Sequence, residues 1–140
     1  MRVHDRMHEL PWLGRVSGVE AQKRYGTDYN IAGKDGVHPG WAGQLVMAYA
    51  FLKGLGLDGE IGTFTVDLGR SQATVSKGHE LVSFKDSGMQ IKSHRYPFCA
   101  RGELNNDNSI RSGMALVPFN AELNRLMLMV KNGTAKDIAR

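Results

Sequence analysis

The run Asp35-Gly36-Val37-His38-Pro39, followed through Gly40 by the apolar stretch Trp41 to Leu55, decides how this chain is read. Pro39 suits the start of a helix, where its missing N–H would be unpaired anyway. Beyond it, Trp41, Ala42, Leu45, Val46, Met47, Ala48, Tyr49, Ala50, Phe51, Leu52 and Leu55 leave only Gln44 and Lys53 as strongly polar positions. The spacing predicts a helix that is apolar almost all round and therefore packed on more than one side. Gly54 and Gly56 are natural stops for it.

The five residues before that helix have a chemical use. A catalytic imidazole needs an acceptor at Nδ1–H to fix its tautomer and to stabilise the charge it gains. An aspartate three residues earlier, on a glycine-rich turn, can fold back to supply it. The helix behind Pro39 anchors the loop on rigid structure. The same residues admit a plainer reading, in which Asp35-Gly36 is an ordinary turn and His38 caps a helix. Spacing alone does not separate the two.

Outward toward the N-terminus, Pro11, Gly14 and Gly18 predict a broken helix over residues 1–25, with Val19 to Tyr25 as a closing turn or two. Gly26 to Gly36 is turn chemistry. Toward the C-terminus the pattern changes near Gly56. Ile61 to Leu68 alternates and pairs with Ser71 to Ser76 across Gly69–Arg70 as a hairpin. Leu81 to Phe84 and Met89 to Ser93 form a second hairpin around Asp86-Ser87-Gly88. Tyr96 to Ser112 reads as loop. Arg125 to Lys131 is a final strand, with Leu126, Leu128 and Val130 on one face and Met127 and Met129 on the other, a pattern for a strand covered on both sides. The expected order is loop and helix first, then about five strands.

The totals restrict the classes. At 140 residues the chain is one ordinary domain long, and its 41% hydrophobic and 23% charged residues are those of a globular protein. The net charge of +4 is scattered, with no basic run, which points away from nucleic acid. No apolar run reaches the roughly 18 residues of a membrane span, and Met1 to Leu10 carries charges where a signal peptide would be apolar. The lone Cys99 excludes an intrachain disulfide framework and a cysteine-based zinc site.

The block Lys34 to Gly43, continued by Leu45 to Gly56, resembles the last conserved block of SGNH/GDSL hydrolases, a superfamily of serine esterases and lipases. The similarity runs from about Tyr25 to Leu57. The later segments Arg95-Tyr96-Pro97-Phe98-Cys99 and Pro118 to Asn132 resemble a β-rich extension found after that block in some bacterial members. The resemblance implies an α/β fold: residues 1–57 as the C-terminal end of a three-layer flavodoxin-like domain, and 58–140 as an antiparallel β-rich extension. It assigns the triad acid to Asp35 and the general base to His38. It implies no metal or organic cofactor, and a small ester or acylated carbohydrate as substrate.

Nothing else of the family's catalytic set occurs. Its nucleophile sits in a Gly-Asp-Ser block and its oxyanion hole draws on a Gly-x-Asn-Asp block, both upstream of the histidine. Asp86-Ser87-Gly88 and Asn105-Asn106-Asp107 lack the right glycines, fall on the wrong side of His38, and read as turns. Ser17 precedes Asp35 and His38 in triad order but lacks a nucleophile elbow. The expectation is therefore a C-terminal fragment of an ester hydrolase, inactive alone, whose export would depend on an upstream leader. The alternative is a non-catalytic β-rich binding or structural module. His4 and His8 have helical metal-ligand spacing, but a third ligand is not evident. His79 and His94 read as surface residues, and the aromatics Trp12, Trp41, Tyr49, Phe51, Tyr96 and Phe98 as core more than as a sugar platform.

Overall fold

A computed structural model describes residues 10–86 and 88–134, with side chains from Gly18 onward. They form a mixed α/β structure of four helices and two small sheets, divided into two compact units. One is helical, built from residues 10–59 and Cys99–Leu123; the other is built of strands, from Glu60–Phe98 and 124–134. The sequence division at 57/58 differs from this, because Cys99–Leu123 belongs with the helices. That segment carries Val117, Phe119 and Leu123, whose apolar side chains are needed to close the helical core.

In the helical unit, α1 (Leu10–Tyr25) is continuous, where the sequence predicts a break. Gly18 stays helical because it serves a close approach: a Cβ there would stand 3.1 Å from the Ile31 Cγ2. Packing of that kind outweighs the roughly 1 kcal/mol that glycine costs in a helix. Lys23 and Arg24 lie in the last turn, where positive charge suits the helix dipole. The helix stops at Gly26, whose φ of 101° is left-handed.

Helix α2 (Trp41–Gly54) buries Ala42, Leu45, Val46, Tyr49 and Ala50, the i, i+3, i+4, i+7, i+8 pattern of one face. That face meets Val117, which ends α3 (Ile110–Leu116), and Phe119 and Leu123 of α4 (Phe119–Leu123), with Ile110, Met114 and Leu116 of α3 packed against the cluster. Tyr29 and Ala21 form a second cluster with Ala42. The helices approach closely enough that a Cβ on Gly113 would lie 2.5 Å from the Ala42 carbonyl oxygen. Tyr49 donates its hydroxyl to Glu122 Oε2 at 2.8 Å, and Lys53 pairs with the same oxygen at 2.7 Å. Burial, then the Glu122 carboxylate, push the Tyr49 hydroxyl well above its ordinary pKa. The opposite face is not covered as the sequence predicts: Trp41, Met47, Phe51 and Leu55 are about half exposed or more.

Both short helices begin where the sequence predicts loop or nothing. Ser109 caps α3 by accepting the Ser112 N–H, a local signal readable in the sequence but followed by only two turns.

In the strand unit, β1 (Glu60–Asp67) and β2 (Gln72–Val75) form the expected hairpin, and β3 (His79–Lys85) and β4 (Gly88–Ser93) the second. The last strand, β5 (Arg125–Lys131), pairs parallel to β1, setting Leu128 beside Phe64 and Val130 beside Val66. The sheet order is β2-β1-β5, so the region is mixed and not wholly antiparallel as expected. Nor is β5 covered on both sides: Leu126 to Val130 are all exposed, Leu128 by 65%. His79 is a structural bridge, correcting its reading as a surface residue. Its Nε2–H donates to the Ile61 carbonyl at 3.0 Å, which can only accept, so Nδ1 accepts from the Ser93 hydroxyl at 2.9 Å in the neutral ring. Its ring meets Phe64 edge-on at 4.9 Å, and Gly62 leaves it room.

Candidate active site

The loop between α1 and α2 is a series of tight turns closed by Gly33 N–H to the Asn30 carbonyl and Gly36 N–H to the Gly33 carbonyl, each at 3.0 Å. Gly33 and Gly36 both take left-handed φ, 83° and 78°. At Gly33 the requirement is double, since a Cβ would lie 2.0 Å from the His38 carbonyl oxygen.

This folding turns Asp35 back on itself. Its Oδ1 accepts the N–H groups of Val37 and His38 at 3.1 and 3.0 Å, and its Oδ2 accepts from His38 Nδ1 at 2.5 Å. The structure thus joins the two residues singled out by spacing. The His38 hydrogen bond first, then the two backbone N–H groups, hold the Asp35 carboxyl below the ordinary carboxylate range. An ionised carboxylate only accepts, so the bonded imidazole carries its proton on Nδ1 and leaves the Nε2 lone pair open. No hydrogen-bond partner meets Nε2 among the described residues, and the two side chains are 85% and 54% exposed. The arrangement can take a proton at Nε2 while Asp35 stabilises the resulting charge.

Beside the loop lies a half-open apolar hollow of about 240 Å³, lined by Ile31, Ala32, Val37, Pro39, Val46 and Met47 with Gly36 and Gly43. Neither ionisable side chain lines it, so it is not a pocket that the dyad faces.

The remaining sequence candidates are not gathered here. No serine hydroxyl bonds to His38 among the described residues. Ser17 falls on α1, but its side chain lies outside the description, as do Ser87, His4, His8 and the side chain of Trp12. Among the described residues no three His, Cys, Asp or Glu side chains gather as a metal-ligand set, and no helix is long and apolar enough to cross a membrane. Tyr96 is mostly exposed, with its hydroxyl donated to the Ser93 carbonyl, and Phe98 is also exposed; neither is core.

Sequence reasoning missed the segment Leu104 to Ser112. Asp107 and Asn108 take the first N–H groups of α2, which has no side-chain cap of its own: Trp41 N–H to Asn108 Oδ1 at 3.4 Å and Ala42 N–H to the Asp107 carbonyl at 3.2 Å. The Asp107 carboxylate accepts the Asn30 N–H at 3.1 Å. A cap supplied from 65 residues or more away leaves no mark in local spacing.

No family model matches the chain, and no curated protein matches it. One solved structure is similar, a gut microbial diltiazem-metabolizing enzyme, with 25% identity and a TM-score of 0.63 over 84% of this chain. The match covers 28% of that enzyme's chain.

Proposed function

We propose that the chain supplies the acid–base pair of a serine-type ester hydrolase of the SGNH/GDSL kind, acting on short acyl esters such as acetyl groups on carbohydrate. The observation that carries this reading is the 2.5 Å bond from His38 Nδ1 to Asp35, with Nε2 left open to solvent. In the proposed reaction His38 Nε2 removes the proton from a serine hydroxyl as that oxygen attacks the ester carbonyl. The same proton then passes to the departing alcohol oxygen. A water molecule, deprotonated in turn by His38, releases the acid and restores the serine. Asp35 keeps the ring in the required tautomer throughout. Similarity to an enzyme that transforms a small drug molecule supports a hydrolase acting on small substrates.

The sequence holds no Gly-Asp-Ser or Gly-x-Asn-Asp block, so the reaction belongs to a longer polypeptide that contains these residues. The test is acetyl-ester hydrolysis by that polypeptide. His38→Ala should lower kcat by a factor on the order of 10⁶, and Asp35→Asn by one on the order of 10⁴. An unchanged rate in His38→Ala overturns the reading and favours a non-catalytic module. So does an in-frame stop upstream with no Gly-Asp-Ser block between it and Met1.

A further inference from the structure

Among the described residues no side chain outside the loop bonds to the Asp35 or His38 side chain, so how the two ends of that loop are held adds to what its own turns impose on the pair. Both ends are held by one short segment. At the start, the Asp107 carboxylate accepts the Asn30 N–H at 3.1 Å. At the finish, the Asp107 carbonyl accepts the Ala42 N–H and Asn108 Oδ1 the Trp41 N–H, and Gly40 is so close that a Cβ would stand 2.8 Å from the Asp107 oxygen. Asp35 and His38 lie between those ends.

The clip is itself fixed. Asn106 Oδ1 accepts the Asn108 N–H at 2.8 Å, and the Asn106 carbonyl accepts the Ser109 N–H at 3.1 Å. Fully buried Ser112 donates its hydroxyl to the Leu104 carbonyl at 2.5 Å, and so must accept from Tyr29, whose hydroxyl lies 2.5 Å away. Tyr29 is the residue before Asn30, so two successive residues at the loop's start are tied to the 104–112 segment. Burial first of all, with a smaller contribution from the nearby Asp107 charge, raises the Tyr29 hydroxyl pKa and keeps it a donor.

Resting on the proposed acid–base role of the pair, we infer that Asp107 is a positioning residue: its carboxylate and carbonyl clip the two ends of the Asn30–Ala42 loop and so set the Asp35–His38 hydrogen bond. A charged acceptor on a backbone N–H makes a stronger bond than a neutral one, and a misplaced base costs rate steeply.

The test reads the His38 tautomer by ring-nitrogen NMR in the full 140-residue chain, with the ring neutral, alongside thermal unfolding. Wild type should hold the Nδ1–H form. Asp107→Ala should reduce that form roughly threefold relative to the Nε2–H form, because the bond that selects the tautomer loosens. Asp107→Asn keeps an acceptor oxygen at the same place and should restore most of the wild-type ratio. Should Asp107→Ala not fold, Asn108→Ala reads the other end of the clip and should shift the ratio in the same direction. A folded Asp107→Ala with the wild-type ratio overturns the inference, as does an unchanged Asn108→Ala where Asp107→Ala is unfolded. An Nε2–H ring in the wild type would instead defeat the dyad, and with it both proposals.

Discussion

The helical and strand units solve the same problem to different degrees. In the helical unit, Leu45, Val46, Tyr49, Val117, Phe119 and Leu123 close around one another, and the buried Tyr29 and Ser112 hydroxyls satisfy each other and the Leu104 carbonyl. In the strand unit, Val66 is the one buried hydrophobic residue among those described, and the apolar strand β5 is exposed on both faces. Parallel strand pairs are ordinarily covered on both sides. Hydrogen bonds can therefore fix strand pairing without a core. Stability, which follows buried apolar area, should be concentrated in the helices.

The largest effect that would test this contrast is Phe119→Ala. It empties the middle of the helical core and should cost about 3–5 kcal/mol in urea unfolding. A loss below about 1 kcal/mol would mean that the core is not where the stability lies. Gly33→Ala comes next. It forces a side chain into left-handed backbone against the His38 carbonyl, and should cost about 1–3 kcal/mol while displacing His38 from Asp35. Tyr29→Phe removes a donor and leaves Ser112 able to keep its bond to Leu104, so a loss of about 1 kcal/mol is expected.

Protonation compares the units at smaller scale, since each has an aspartate held below the ordinary range. For Asp35 the cause is His38 followed by backbone N–H groups; for Asp67 it is Asn132, whose amide donates at 2.9 Å. A carboxyl that is more acidic folded than unfolded contributes fully above about pH 4, and that contribution is lost as pH falls through the lower folded value. Carbon NMR titration of both groups should show midpoints below the unfolded range. An ordinary midpoint at Asp35 would remove the hydrogen bond that the site needs. The smallest effect belongs to β5: Leu128→Ser should change stability by no more than about 0.5 kcal/mol, and a loss matching Phe119→Ala would erase the contrast between the units.

Local patterns were the legible part of the fold. Alternation and turn residues locate both hairpins and β5, because pairing of neighbouring strands is written in adjacent residues. The site was legible for the same reason: Asp35 reaches His38 through a three-residue turn whose glycines are visible. What escaped was long-range. Gly18 contributes to a predicted break that its packing against Ile31 overrides. Asn105-Asn106-Asp107 reads only as a turn because the N–H groups that Asp107 receives belong to the distant residues 30 and 42.

The sequence by itself determined the apolar helix, the five strands and the turn that brings Asp35 near His38, since each rests on contacts within a few residues. Only the tertiary structure decided that Asp107 holds both ends of the loop, that Cys99–Leu123 closes the helical core, and that β5 pairs parallel to β1 with its faces bare. Those outcomes depend on which distant groups meet. Hydrophobic burial rewards any apolar partner alike, so an apolar pattern does not specify which one it will find.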